Sequence, residues 1–286
     1  MRIIDARVRL PSDLRPGLDT SPNPELERRY DALLGTGESR HSPSAKLLAD
    51  LESAGVSKAV VHAEYEFGND VDALNEATAE FVQMTPVIAS GLGTISLVDL
   101  QPMRAVRQVR RVAELGLAGI NIQPAFFDLA ITDPRLYPVY AACADRDLVV
   151  AIHTGINYTS TKPMAPEQPI YLDQIACHFP GLRLIACHGG WPWIAEMVAV
   201  ARRHPSVYVD FGGLSPKYVG APGSGWETLA HFMNNVLSDQ ILHATDWPVY
   251  DPGKAIDEWS DLGLKPDVLA KLLGGNAANL FSITRW

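Results

Sequence analysis

Cysteine is scarce in this chain. Cys143, Cys177 and Cys187 are the only three in 286 residues, too few and too scattered for a disulfide framework or a zinc knuckle. Cationic surplus is missing too. Lys plus Arg is 24 against 33 for Asp plus Glu, a formal net charge of −9, which leaves nothing to neutralise a phosphate backbone. Nucleic acid is therefore not an expected partner. No apolar run approaches the roughly 20 residues of a membrane helix, and Met1-Arg2-Ile3-Ile4-Asp5 does not read as a signal peptide. No glycine-rich nucleotide turn follows the first hydrophobic run, which argues against a doubly wound dinucleotide fold. What is left, 47% hydrophobic and 20% charged, is ordinary globular composition and reads as a reduced, cytoplasmic protein.

Short, nearly continuous hydrophobic runs alternate with helical patterns. The expected strands are 2–9, 58–63, 87–93, 118–123, 148–153, 182–188, 206–211 and 240–246. The expected helices are 44–53, 71–84, 102–115, 136–146, 170–178, 193–203, 226–237 and 265–273, several with a glycine stop such as Ala54-Gly55 or Leu115-Gly116. Eight of each in alternation predicts a single-domain (β/α)8 TIM barrel over residues 1–286. Segments 11–43 and 156–169 exceed ordinary loop length and would lie at the C-terminal mouth, where barrel active sites form. The second carries Tyr158, a candidate substrate-binding residue.

Polar residues punctuate the strand ends: Arg7 and Arg9 after the first strand, His153 after the fifth, His188 after the sixth, Asp246 after the eighth. Simple alternation places Asp5, Arg7 and Arg9 on the inner face, with Ile4, Ala6, Val8 and Leu10 outward. Trp191 follows His188-Gly189-Gly190 and is a candidate wall of an apolar pocket. His62, beside Glu64, either points into the mouth or sits on its rim, Asp210 is a further mouth or cap residue, and His243 packs behind the barrel.

Five stretches in order carry a family resemblance. Ile3-Ile4-Asp5, Ile152-His153-Thr154-Gly155, Ile185-Ala186-Cys187-His188-Gly189-Gly190, Ala244-Thr245-Asp246-Trp247-Pro248 and Gly274-Gly275-Asn276-Ala277-Ala278-Asn279-Leu280-Phe281 resemble the amidohydrolase-related proteins. The branch is that of aminocarboxymuconate-semialdehyde decarboxylase and its lactonase relatives. The resemblance implies a (β/α)8 barrel and enzymes that hydrolyse or decarboxylate small carboxylates, often as homodimers. In that family the first strand reads Asp-x-His-x-His, whose histidines bind a divalent metal with a later His and Asp. Here Arg7 and Arg9 stand at the two histidine positions, while His153 and Asp246 match the other two ligands. Arginine has no lone pair to give, so neither a bound metal nor another cofactor is expected.

The leading expectation is a metal-independent hydrolase of a small carboxylate-bearing lactone or ester. Asp246 would be the general base, His153 and His188 would orient substrate or shuttle the proton, and Arg7 and Arg9 would bind the carboxylate or the oxyanion. Two guanidiniums would supply the two positive charges that a dication supplies elsewhere. The alternatives are a non-oxidative decarboxylase and a catalytically inactive carboxylate-binding barrel.

Overall fold

The computed structural model describes residues 2–17, 28–29, 31–33, 35, 37, 41–64, 70–158 and 161–284. Eight strands lie side by side in chain order, each parallel to the next: β1 (Ile4–Arg9), β2 (Lys58–His62), β3 (Ile88–Gly93), β4 (Gly119–Ile122), β5 (Val149–His153), β6 (Leu184–Cys187), β7 (Val207–Asp210) and β8 (Ile241–Leu242). The two ends meet. Ala6 N–H donates to the His243 carbonyl and Asp246 N–H to the Arg7 carbonyl, each at 2.9 Å, and Val8 bridges Trp247. Around the strands run α1 (Ser44–Ser53), α2 (Val71–Met84), α3 (Pro102–Glu114), α4 (Tyr137–Asp145), α5 (Ile170–His178), α6 (Ile194–Arg203), α7 (Glu227–Met233) and α8 (Pro252–Asp261). The protein is a single (β/α)8 barrel, and among the described residues no helix is long and apolar enough to cross a membrane.

Three expectations need correction. The helix expected at 265–273 is α9 (Pro266–Ala270) running into a π turn (Lys271–Gly275), and α10 (Asn276–Leu280) follows it. The true partner of β8 is α8, which its Gly253 disguised in the sequence. Its start was written in Asp251-Pro252: the Asp251 side chain accepts from Lys254 N–H, and proline fills the first helical position. Strand β8 spans two residues rather than 240–246, because Asp246 turns into the left-handed region at φ 54°.

The third correction concerns β1. Its pairing with β2 slips between Asp5 and Val8, so a bulge interrupts the alternation. Ile4 and Ala6 therefore join Val60, Leu92, Ala151 and Ile185 in the apolar barrel interior, instead of facing outward. Val8 packs outward against Leu47 and Leu51 of α1. Asp5 turns toward the chain after β8, where Thr245 N–H and hydroxyl and Arg7 N–H all donate to it. Burial pushes its carboxyl up to about 7 against the pull of those bonds. Beyond the bulge, Arg7 and Arg9 both rise toward the C-terminal end.

Candidate active site

The interior of the barrel changes character along its axis. Its lower layer, capped by Leu280 and Phe281 of the C-terminal segment, is apolar. Its upper layer is polar and centred on Arg7, which is 1% exposed. Arg7 Nε donates to Asp246 Oδ1 at 2.8 Å and Nη2 to Glu64 Oε1 at 2.6 Å. Nη1 reaches Asn121 Oδ1 at 3.0 Å, His62 Nδ1 at 3.1 Å and Cys187 Sγ at 3.4 Å. His62 Nε2 lies 3.0 Å from the Ala6 carbonyl and donates to it, so its Nδ1 is the acceptor for Arg7. Burial, and then the charge of Arg7, push the His62 imidazole down to about 3, and it stays neutral. His62 thus belongs to the buried interior, neither in the mouth nor on the rim.

Arg9 closes the figure from above. Its Nη2 donates to Asp246 Oδ2 at 2.6 Å and its Nη1 pairs with Glu64 Oε2 at 3.0 Å. Two guanidiniums and two carboxylates make a ring in which each charge touches two opposite ones. Burial works to raise the Asp246 carboxyl, but Arg9, Arg7 and His188 together hold it well below the usual carboxylate range. Gly212, after β7, permits this: a Cβ there would stand 2.9 Å from Arg7 Cδ and 3.2 Å from Asp246 Cβ.

A second group sits across the cavity. His153 Nδ1 lies 2.7 Å from Glu167 Oε1, and both side chains are buried. Asn157 Nδ2 donates to the other Glu167 oxygen, and Gly155 N–H to the Glu167 carbonyl, so the long loop after β5 folds back beneath the histidine. The His188 ring centroid is 4.6 Å from that of His153. His188 Nδ1 donates to the Gly212 carbonyl at 2.7 Å, while Asp210 Oδ1 accepts its backbone N–H. Burial, then His153 and Arg7, push the His188 imidazole down to about 4.

Six of the seven expected site residues, Arg9, His153, Tyr158, His188, Trp191 and Asp246, line one cavity of about 320 Å³. Ile156, Leu214, Trp226 and Val249 complete an apolar wall. Arg7 lies beneath the floor, every nitrogen engaged, and its position suits holding Asp246 rather than meeting a ligand. Of the long segment 11–43, residues 18–27, 30, 34, 36 and 38–40 lie outside the described residues. Sequence reasoning missed two carboxylates. Glu64 was legible by period two, since it follows His62 on the same face. Glu167 carried no signal, because a loop residue fourteen positions from its partner has no periodicity to betray it.

The donor set does not suit a divalent metal. Both oxygens of Asp246 already accept from guanidiniums, and His153 Nδ1 faces Glu167. An added cation would face two fixed positive charges, and neither guanidinium offers it a lone pair. Among the described residues, the one cluster of potential ligand atoms is Asp173, Cys177 and His204, on the helical exterior.

A parallel barrel with its polar groups gathered at the C-terminal strand ends has the layout of a barrel enzyme. A family model described as Amidohydrolase matches residues 5–283, and the chain belongs to that family. Among solved structures it resembles an uncharacterized TIM-barrel protein from Bordetella bronchiseptica, with 25% identity, TM-score 0.80 and 99% of each chain covered. It is also similar to 5-carboxyvanillate decarboxylase from Sphingomonas paucimobilis, with 20% identity, TM-score 0.74 and 99% of each chain covered. A probable 2-pyrone-4,6-dicarboxylic acid hydrolase from Acinetobacter baumannii aligns at 14% identity and TM-score 0.67, over 99% of this chain and 100% of the other. The last two likenesses are of fold.

Proposed function

We propose that the protein is a hydrolase of a small lactone or ester that works without a metal. The observation that carries this reading is the pairing of His153 with buried Glu167, 2.7 Å apart, on the same cavity as Arg9. The Glu167 carboxylate 2.7 Å from Nδ1 favours a proton on that nitrogen, which directs Nε2 to act as the base. A water held at Nε2 gives up a proton as its oxygen attacks the carbonyl carbon. The resulting oxyanion is stabilised by the Arg9 guanidinium, which lines the cavity. The His153 imidazolium then returns the proton to the departing oxygen as the carbon–oxygen bond breaks. His188, neutral and fixed by Gly212, accepts a hydrogen bond from the same water.

In this reading the base is His153 instead of Asp246. A carboxylate clamped between two guanidiniums is ionised but is a weak proton acceptor, because a general base works best with a pKa near the working pH. Asp246 instead fixes Arg9. Decarboxylation is the less favoured reading, since the departing carboxylate would lie against Glu64 and Asp246. The test is turnover of a panel of lactones and esters by chelator-treated protein, with products identified. Hydrolysis surviving chelation and falling at least about a hundredfold in His153→Gln supports the proposal. Activity lost with the chelator and restored by zinc or manganese, or carbon dioxide as product, refutes it.

A further inference from the structure

We infer that the ligand this cavity selects is uncharged, so that a carboxylate-bearing analogue is rejected. The inference rests on the proposed hydrolysis for the orientation of the ligand, but the selectivity itself follows from how the charges are paired.

Among the described residues, two buried cations, Arg7 and Arg9, serve this end of the barrel, and both are spoken for. Each contacts Glu64 and Asp246, at distances from 2.6 to 3.0 Å, so the four groups sum to zero. The acids do not stop there. Glu167 lies behind His153 and Asp210 behind His188, each 1% exposed. Asp210 Oδ1 accepts the N–H groups of His188 and Gly212, which are neutral donors. Among the described residues, even with His153 protonated, three positive charges face four negative ones. His188 does not change the sum, since it stays neutral at ordinary pH.

A carboxylate entering here adds a further negative charge beside Asp246 and Glu64, and close pairing with Arg9 weakens the two pairs that Arg9 already holds. An uncharged carbonyl asks for nothing of the kind. Its oxygen can take an N–H of Arg9 while both existing pairs persist, and its apolar body replaces water against Trp191, Trp226 and Val249. The volume, about 320 Å³, is at the small end for ligand sites and suits one or two fused rings. Arg9 therefore serves to polarise a carbonyl, Arg7 holds the anions in place, and the neutral ring they form keeps anions out.

Benzamide and benzoate test this directly, because they share size and planarity, differ by one charge and are not esters. Calorimetric titration of the full chain at neutral pH should give benzamide at least a tenfold lower Kd than benzoate. Glu64→Gln removes one anion from the ring and should tighten benzoate about tenfold while leaving benzamide within threefold. Equal or tighter binding of benzoate to the wild type overturns the inference. So does a Glu64→Gln protein, folded by circular dichroism, whose benzoate affinity does not change. Should that variant fail to fold, the wild-type pair still decides, and salt adds a second reading: benzoate affinity that falls steeply with ionic strength would reveal an unpaired cation and refute the proposal. Failure of benzamide to bind at about 10 mM also overturns it. Absence of ester hydrolysis would sink the catalytic reading alone, because these are binding measurements.

Discussion

Two layers of one barrel interior, one residue pair apart on the same strands, are built on opposite principles. Below, Leu92, Ala151, Ile185 and Leu242 fill the space with apolar groups that need no partners. Above, Arg7, His62, Glu64, Asn121 and Asp246 fill it with polar groups that need partners at every atom. The lower layer gains stability from burial itself, and one lost methyl group there costs only its own contacts. The upper layer starts from a desolvation penalty and repays it through bonding that depends on every member. The price of that arrangement is fragility, and what it obtains is a fixed electrostatic surface at the cavity floor.

The largest expected effect follows from that asymmetry. Arg7→Ala removes five contacts and leaves Glu64 and Asp246 to share Arg9 as their one buried cation, which should destabilise the protein by roughly 3–5 kcal/mol. Leu92→Ala, in the lower layer, leaves a cavity and should cost roughly 2–5 kcal/mol. Urea denaturation of both variants measures the difference. The sharper contrast lies in the rescue. Adding Glu64→Gln to Arg7→Met should recover much of the loss, because Arg9 then faces Asp246 alone and the charges balance again. No second substitution above could rescue Leu92→Ala.

Acid leaves the apolar layer untouched and acts on the buried titratable groups around it. His62, pushed down to about 3, and His188 and His243, pushed down to about 4, bind fewer protons folded than unfolded over the interval from there to the ordinary value of about 6.5. Their contribution makes stability rise with pH. Asp5, pushed up to about 7, is protonated in the folded state while the unfolded carboxyl is not, so its contribution falls as pH rises. Three histidines against one aspartate leave a net of two protons taken up on unfolding near pH 5. Stability should therefore drop on acidification, at a slope on the order of 3 kcal/mol per pH unit. Replacing His62 with Gln leaves a net of one proton and should halve that slope. A flat profile between about pH 4 and 6.5 would mean that these histidines are charged in the folded protein.

Arg9 is the bridge between the buried layer and the cavity. Its side chain is 14% exposed against 1% for Arg7, so water can follow a truncation there. Arg9→Ala should cost roughly 1–2 kcal/mol in stability, less than Arg7→Ala, while lowering kcat about a hundredfold if Arg9 meets the oxyanion. Equal destabilisation by the two changes would make both arginines structural.

The strand order and the gathering of Arg9, His153, His188 and Asp246 at one end were legible because hydrophobic runs and strand-end polarity are local signals. What was not legible was non-local. The bulge in β1 has no signature in Ile4-Asp5-Ala6-Arg7, so period two assigned Ile4 and Ala6 to the wrong face. The neutrality of the arginine pair was hidden for a similar reason. Arg7 and Arg9 read as surplus cations until Glu64, just past the end of the neighbouring β2, enters the count.

The smallest expected effect compares the two histidines of the cavity, which are steadied by different means. His188 Nδ1 meets a backbone carbonyl, that of Gly212, and no side-chain substitution removes it. His153 meets a carboxylate on a loop, and the charge of Glu167 stabilises the imidazolium that forms when the ring takes a proton. Glu167→Gln retains an oxygen to accept the Nδ1 proton but removes that charge. The ring should stay in place, so KM should hold, while kcat falls about tenfold. Loss of the carboxylate also lowers the affinity of His153 for its proton, which should shift the acid limb of the kcat profile to lower pH. Glu167→Ala removes the oxygen as well, frees the ring to rotate, and should raise KM in addition. A Gln variant with the pH profile of the wild type would show that Glu167 steadies the loop and leaves the chemistry of His153 untouched.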